Sequence, residues 1–498
     1  MNVNPITRLD YPDPDVIRVE DTYYMVSTTM HFMPGCEILQ SFDLVHWEHA
    51  TYVYETLDHT DAQQLKSGQN IYGQGMWAAS LRYHEGRFCI CFVANDTRKT
   101  YLYTSEKIDG PWKKQLIEGF YHDGSLLFDE DGRNYIVYGN DEIWITELNE
   151  DLTAPKKDGL HRLLVSDHKN PELGYEGSHI QKINGYYYIF LIHSLRDRWM
   201  RTEACFYSDS LEGEFTGGDV LCDDRGYCGQ GVAQGGIVDT PDGKWYAMLF
   251  QDSGAVGRIP ILVPVTWKDH FPFFGQNGHV PEEIEVHSTR PGYIYQPLVG
   301  SDDFCNGLLP RWQFNHDPDP RYYHLDALQG TYTITTREVC TELTQAVNTL
   351  TQRMSYPSCA AEVTVDASAL KEGDVAGLCA LQSCYAAVGI TKHHGKYEVL
   401  MLDKKEDGIL DMTERTVVES HQMDFRLEAD FCNMKDEARC YYRVNKGDWL
   451  PIGTVHKLYF KLDHFTGCRF GLFCYAAEET GGSACFRDFK YYDVDEIS

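Results

Sequence analysis

The sequence predicts an all-β protein: a five-bladed β-propeller over residues 1–290 followed by a β-sandwich over residues 300–498. Two observations carry this. A strand–turn–strand unit recurs five times in the first half, and evenly spaced alternating runs without that register fill the second. Aromatic residues make up 13%, with 33 Tyr, which suits a β-rich chain with stacking surfaces.

Each repeat has a turn built on Gly or a substitute, then an aromatic-rich apolar run. The runs are EDTYYMVST from Glu20, HEGRFCICFV from His84, EDGRNYIVYG from Glu130, INGYYYIFLI from Ile183 and PDGKWYAMLF from Pro241. Taking Thr22, Gly86, Gly132, Gly185 and Gly243 as equivalent turn positions, the residues nine places earlier are Asp13, Trp77, Asp123, Glu176 and Gln234. An apolar residue follows each after four places, so a strand runs from this residue to the turn. SFDLVHW, SEKIDGPW and SDSLEGEF mark outer strands of the same units. The first strand of a blade lines the propeller axis, so these five positions converge on one mouth. Acidic side chains at three of them make a functional funnel, since like charges there repel.

After about residue 285 the repeat stops, and TRPGYIYQPLVGSDDF reads as a linker and entry segment. AAEVTVDAS, VAGLCALQS, YAAVGITK, KYEVLML, FRLEADF, ARCYYRV, CRFGLFCYA and ACFRDFKYYDV are short alternating runs separated by turn residues, the pattern of a sandwich. No acidic cluster there holds a repeat register, so this domain is read as having no chemistry of its own.

Charge narrows the partners. The 498 residues carry 75 Asp plus Glu against 44 Lys plus Arg, a formal charge of −31. Nucleic acid and anionic membranes are repelled by that field, and a neutral small oligosaccharide suits it better. No apolar run reaches membrane-spanning length and no signal peptide is read. The 16 Cys form no zinc-like array and many lie in apolar strands, which suits reduced thiols in the cytoplasm. Oligomeric state is not legible.

Convergent carboxyl groups beside an aromatic wall suit glycoside hydrolysis. One carboxylic acid protonates the leaving oxygen, while a carboxylate activates water or attacks the sugar. A separation of ~6.5–9.5 Å leaves room for water and inverts the anomer, whereas ~5–5.5 Å implies retention. A third carboxylate is expected to keep its acidic neighbour protonated by repulsion.

The residues resemble glycoside hydrolase family 43. The likeness runs through NPITRLDYPDPDVIRVEDTYYMVSTT, GQGMWAASLRYHEGRFCICF, HDGSLLFDEDGRNYIVYG, EGSHIQKINGYYYIF, GGIVDTPDGKWYAM, GRIPILVPVTW, GSDDF and RFGLFCYA. It implies Asp13 as general base, Glu176 as general acid, Asp123 as the residue that orients the acid and tunes its pKa, Trp77 as a sugar-subsite wall and Arg258 as a basic contact. Met30, His31 and Gln234 complete the expected substrate-binding set, with the MHFMPG segment closing one side of the pocket. Asp10 is read as solvated and Asp15 as structural. Many family members carry a potential metal-binding His where this chain has Gln234, and an amide oxygen is a poorer ligand. No metal or cofactor is therefore expected to be required, although Asp302 and Asp303 offer hard oxygens for a structural Ca²⁺.

The expected activity is that of an inverting exo-glycosidase releasing terminal α-L-arabinofuranosyl or β-D-xylosyl residues from hemicellulose-derived oligosaccharides. β-Xylosidase as sole activity and a non-catalytic sugar-binding propeller are the alternatives. A retaining fructosidase fits less well, because YPDPD, HDGS and YEGS stand where it would have NDPNG, RDP and EC.

Overall fold

The computed structural model describes residues 2–493. Five four-stranded antiparallel sheets stand in a ring, four of them made of consecutive strands and the first interrupted by Phe32–Met33, which leaves for the other domain. Their innermost strands are Asp15–Val19, Met76–His84, Ser125–Phe128, Glu176–Ile183 and Ile237–Asp239. They define blades 1 to 5.

The common nine-residue spacing has two structural origins. In blades 2 and 4 the inner strand is long and carries a β-bulge, Trp77/Ser80 or Glu176/His179, before a tight turn. In blades 3 and 5 the inner strand is short and the turn that follows is longer, as the pairs Phe128↔Asn134 and Asp239↔Trp245 show. Blade 1 lacks both devices, and Thr22 already pairs with Val19, so its turn lies at Glu20 and Asp21. A bulge adds one residue and re-aims the side chain beside it, which places the blade 2 and blade 4 residues at the same mouth.

Every seam between blades is packed with side chains from strand centres. Val26, Ile38, Phe88 and Ile90 fill the seam of blades 1 and 2, and Tyr188, Phe190, Ile261 and Val263 fill that of blades 4 and 5. The ring closes through a seam of Tyr23, Met25, Tyr246 and Leu262. The chain start fastens it: Asn2–Val3 pairs with Glu283–Ile284, and the Asn4 amide donates to the Leu262 carbonyl at 2.8 Å.

The second domain packs an eight-stranded sheet against a seven-stranded one. All eight runs singled out in the sequence fall on strands of these sheets, within the described residues. Trp312, Leu350, Val363, Phe425, Phe470 and Phe486 are buried between them. The eighth strand of the larger sheet comes from the propeller: Phe32–Met33 pairs with Phe314 and Asn315. The MHFMPG segment is thus a tether to the sandwich and not a flap over the funnel. Its apolar side chains explain the choice, because Phe32 is buried under the Arg469 guanidinium, 3.4 Å from the ring centre.

Asp10 also departs from expectation. It is buried, and its carboxylate accepts the backbone N–H groups of Arg258 at 2.7 Å and Gly467 at 2.8 Å, joining the last blade to the sandwich. All 16 cysteines are free. Among the described residues, no helix is long and apolar enough to cross a membrane.

Candidate active site

A cavity of about 220 Å³ opens at the propeller mouth, and Asp13, Trp77, Asp123, Glu176, Gln234 and Arg258 all line it. The repeat register thus brings its five residues to one place. The local backbone is costly there. Asp13, Asp123 and Gln234 sit in the left-handed region with φ of 51°, 47° and 64°, which non-glycine residues rarely adopt and which clusters at functional sites. After Glu176 the same need falls on Gly177, with φ of 65°. A Cβ at Gly177 would lie 2.6 Å from Cγ of Gln234, so glycine is required.

Asp13 is fixed at both oxygens. The Thr28 hydroxyl donates to Oδ2 at 2.6 Å, and Arg258 donates from Nη1 to Oδ1 at 2.5 Å. Arg258 also reaches Asp252 at 3.2 Å and lies 3.7 Å from the centre of the Phe465 ring. Glu176 takes a 2.8 Å bond from the Asn140 amide at Oε2. Asp123 accepts the Gly177 N–H at 3.1 Å. Between the two acids stands His122, with Nε2 at 3.5 Å from Asp123 and 3.6 Å from Glu176.

The charges divide unevenly. Burial, then the neighbouring charges of Glu176 and Asp13, push the Asp123 carboxyl up to about 6 against the opposing pull of His122. Burial also disfavours an ionised Glu176, yet His122, Arg201 and Arg258 hold it below the usual carboxylate range. His122 is pushed up to about 9, chiefly by Asp123, so it is an imidazolium at neutral pH. In the sugar-free pocket the two neighbouring carboxyls are thus shifted in opposite directions, Asp123 up and Glu176 down. The repulsion expected to act on Glu176 falls on Asp123 instead, because the cations converge on Glu176.

Four further features escaped the sequence reading. His122 stood beside a motif residue. Arg201 is buried in the pocket, 3.0 Å from Asp252, with burial drawing its pKa down to about 10. Asn140 ends the second strand of blade 3. Leu462 and Phe465 reach in from the sandwich, and Phe465 meets Trp77 edge-on at 5.0 Å. Wall and roof therefore come from different domains.

Met30 and His31 do not line this cavity. Met30 is buried and bridged to Met76 through its backbone. His31 is buried among Phe32, Tyr72, His316 and His464 at the domain junction. The chain turns toward the sandwich here and takes both side chains with it. Asp15 lies deeper on the axis, between Arg82 at 2.7 Å and His179 at 3.1 Å.

Among the described residues, His122, Asp123 and Glu176 are the group whose ligand atoms lie within 4.8 Å of one another. Nε2 of His122 faces both carboxylates and is protonated at neutral pH, so a cation held by these three residues would first displace that proton. The axial position holds the amide of Gln234, which packs on Gly177. Asp302 is likewise engaged: its carboxylate accepts the Phe304 N–H at 2.7 Å and the Trp312 indole N–H at 2.8 Å.

A closed propeller that delivers three carboxyl groups, guanidinium partners and an aromatic wall to one small cavity defines a glycoside hydrolase. The sequence matches the glycosyl hydrolases family 43 profile over residues 3–272 and the beta xylosidase C-terminal concanavalin A-like domain over residues 301–492. The chain belongs to glycosyl hydrolase family 43. A beta-xylosidase of Formosa agariphila is 27% identical over 99% of this chain and 89% of that protein. A non-reducing end alpha-L-arabinofuranosidase of Bacteroides ovatus is 24% identical over 82% of this chain and 79% of its own length. A solved bifunctional GH43-CE protein of Bacteroides eggerthii superposes with a TM-score of 0.91 at 42% identity. The match covers 99% of this chain but only 64% of that one.

Proposed function

We propose that the protein is an inverting, exo-acting hydrolase that releases single terminal pentoses, α-L-arabinofuranosyl or β-D-xylosyl, from short hemicellulose-derived oligosaccharides. One observation carries this: Asp13, Asp123 and Glu176 face a cavity of about 220 Å³ roofed by Leu462 and Phe465. That volume is below the ~300–1,000 Å³ of sites for drug-sized ligands, so it suits one sugar ring and not a threaded chain. The two similar proteins named for xylosidase and arabinofuranosidase activity support a pentose.

In this reading Asp13 is the base. Thr28 and Arg258 fix its carboxylate, so it takes a proton from water poised at the anomeric carbon while the glycosidic bond breaks. Glu176 delivers a proton to the departing oxygen. Asp123 and the His122 imidazolium position Glu176 and set its proton affinity. A bound sugar displaces water from Glu176 and disfavours its charge, which favours the protonated acid when it is needed. Trp77 and Phe465 offer ring faces and edges to the sugar. No step needs a metal or cofactor. The free thiols support a reducing, cytoplasmic setting in which imported oligomers are the substrate.

The test is a panel of α-L-arabinofuranosides and β-D-xylosides followed by NMR of the first-formed anomer. The inverted anomer and single pentoses from the earliest time points are expected. Prompt appearance of the retained anomer would make Asp13 a nucleophile, and early release of oligosaccharides from polymer would overturn the exo reading.

A further inference from the structure

A second cavity of about 500 Å³ lies beside the catalytic pocket, across the domain boundary. Its walls are Trp199 and Gln230 from the propeller and Met434, Phe460 and Leu462 from the sandwich. Three features join it to the pocket. Leu462 lines both spaces. Arg201, a pocket residue, holds its guanidinium 5.4 Å from the Trp199 ring centre. Asp252, on the groove side, pairs with both Arg201 and Arg258. Leu462 is 46% exposed, a large apolar side chain left open on the rim between the two.

We propose that this groove receives the aglycone, the part of the substrate that leaves, and that it selects aglycones bearing a planar aromatic group. This rests on the pentosidase reading above. The chemistry of the walls supplies the argument. A bare sugar residue buried here would need partners for its hydroxyls, since unpaired polar groups are costly to desolvate. The polar groups nearby are already engaged. Asp252 is held by two arginines, Lys461 pairs with Glu406, the Gln230 side-chain amide donates to the Cys228 carbonyl at 3.4 Å, and Asp463 accepts the Tyr459 hydroxyl at 3.3 Å. What remains is an indole, a phenyl ring, a thioether and a leucine, surfaces that take a flat apolar ring.

The test compares methyl and 3-phenylpropyl glycosides in the β-D-xyloside and α-L-arabinofuranoside series. Both aglycones are simple alkanols of similar acidity, so bond cleavage makes equal demands on Glu176. The phenylpropyl compound is expected to show at least ~10-fold higher kcat/KM, mostly through KM, the gain from burying one aromatic ring. Met434→Gln, on the far wall, is expected to remove most of that gain while methyl glycoside hydrolysis stays within about twofold. Equal kcat/KM for the two compounds in the unaltered enzyme would overturn the inference and leave the pentosidase reading standing. So would an equal gain from a plain pentose disaccharide, which would make the groove an ordinary sugar subsite. Hydrolysis of neither compound in either series would remove the pentosidase reading, and the inference with it.

Discussion

Asp13 and Asp15 are two residues apart on the same innermost segment, yet they belong to different chemistries. Asp15 is fully buried with Arg82 and His179 dedicated to it. Burial opposes its charge, but those two partners hold its carboxyl at about 2. At the mouth, three carboxyls face a shared set of cations, and Asp123 is pushed up to about 6. A carboxylate with its own guanidinium stays ionised and ties blades together. At the mouth Asp123 is instead pushed toward its protonated form, which puts a titrating carboxyl beside Glu176 where acid–base chemistry needs one. The comparison separates structure from catalysis more sharply than burial does, since both groups are withdrawn from solvent.

The largest expected effects fall at the mouth. Glu176→Ala and Asp13→Ala are each expected to lower kcat by ~10²–10⁴-fold, and because Arg258 keeps Asp252 as a partner when Asp13 is removed, melting temperature is expected to fall less than for Asp15→Ala. The Glu176→Ala loss is expected to shrink on substrates with good leaving groups, which need little protonation. Losses of equal size on good and poor leaving groups would remove Glu176 as the acid. Asp15→Ala inverts the pattern. It leaves Arg82 buried without its anion, at a cost of about 3–5 kcal/mol, read as a lower midpoint in denaturant titration. If Asp15→Ala folds with unaltered stability, the division drawn above between the two aspartates is wrong.

Acid stability follows the same division. Asp15 is depressed below its ordinary value, so its contribution is full above about pH 4 and is lost as pH falls toward about 2. Asp123 is raised, so its contribution is full below about pH 4 and is lost as pH rises through about 6. Asp123→Asn is therefore expected to flatten the stability profile on the side above pH 4 and leave the acid side unchanged. Urea midpoints taken from low to neutral pH distinguish the two limbs.

Smaller, opposed shifts are expected in the pH–rate profile. Asp123→Asn removes an anion beside Glu176, so the acid's pKa falls and the basic limb moves to lower pH. His122→Gln removes a cation that holds Glu176 down, so the basic limb moves to higher pH. Shifts in the same direction for both variants would show that neither charge tunes the acid.

What the sequence discloses follows from where repetition reaches. Asp13, Trp77, Asp123, Glu176 and Gln234 share a register because blade geometry places the start of each inner strand at the mouth. Asn140 and Arg201 lie on second and third strands, where nothing in the repeat marks a position as pointing inward. Arg201 opens the run RTEACF, and a charged residue entering an apolar strand was the available signal. Phe465 and Leu462 were beyond reach for another reason: they arrive by docking of a domain several hundred residues away from Asp13. The same docking misled the reading of Met30 and His31, whose apolar neighbours Phe32 and Met33 belong to a sheet in the other domain. Sandwich strands were legible from alternation, but the pairing of a propeller segment with them was not.

The smallest expected effect is none at all. Exhaustive chelation with EDTA is expected to leave kcat and KM unchanged. Gln234 presents an amide at the axial position, and its backbone N–H donates to the buried Glu203 carboxylate at 2.7 Å, which fixes it there. The cluster able to gather ligand atoms is His122, Asp123 and Glu176, and its histidine is held as an imidazolium with a pKa of about 9. A divalent ion would have to displace that proton and break the bond from Asn140 to Glu176. It would then occupy the acid's own oxygens, so added metal is expected to inhibit if it acts at all. Gln234→His tests the same point from the other side. With an imidazole at the axis, a divalent ion gains a competent ligand, and the variant is expected to show ion-dependent stability that the unaltered enzyme lacks. Activity lost in EDTA and restored by a divalent ion in the unaltered enzyme would mean that the mouth is organised by a cation, and the contrast between Asp13 and Asp15 would then have to be drawn from metal ligation.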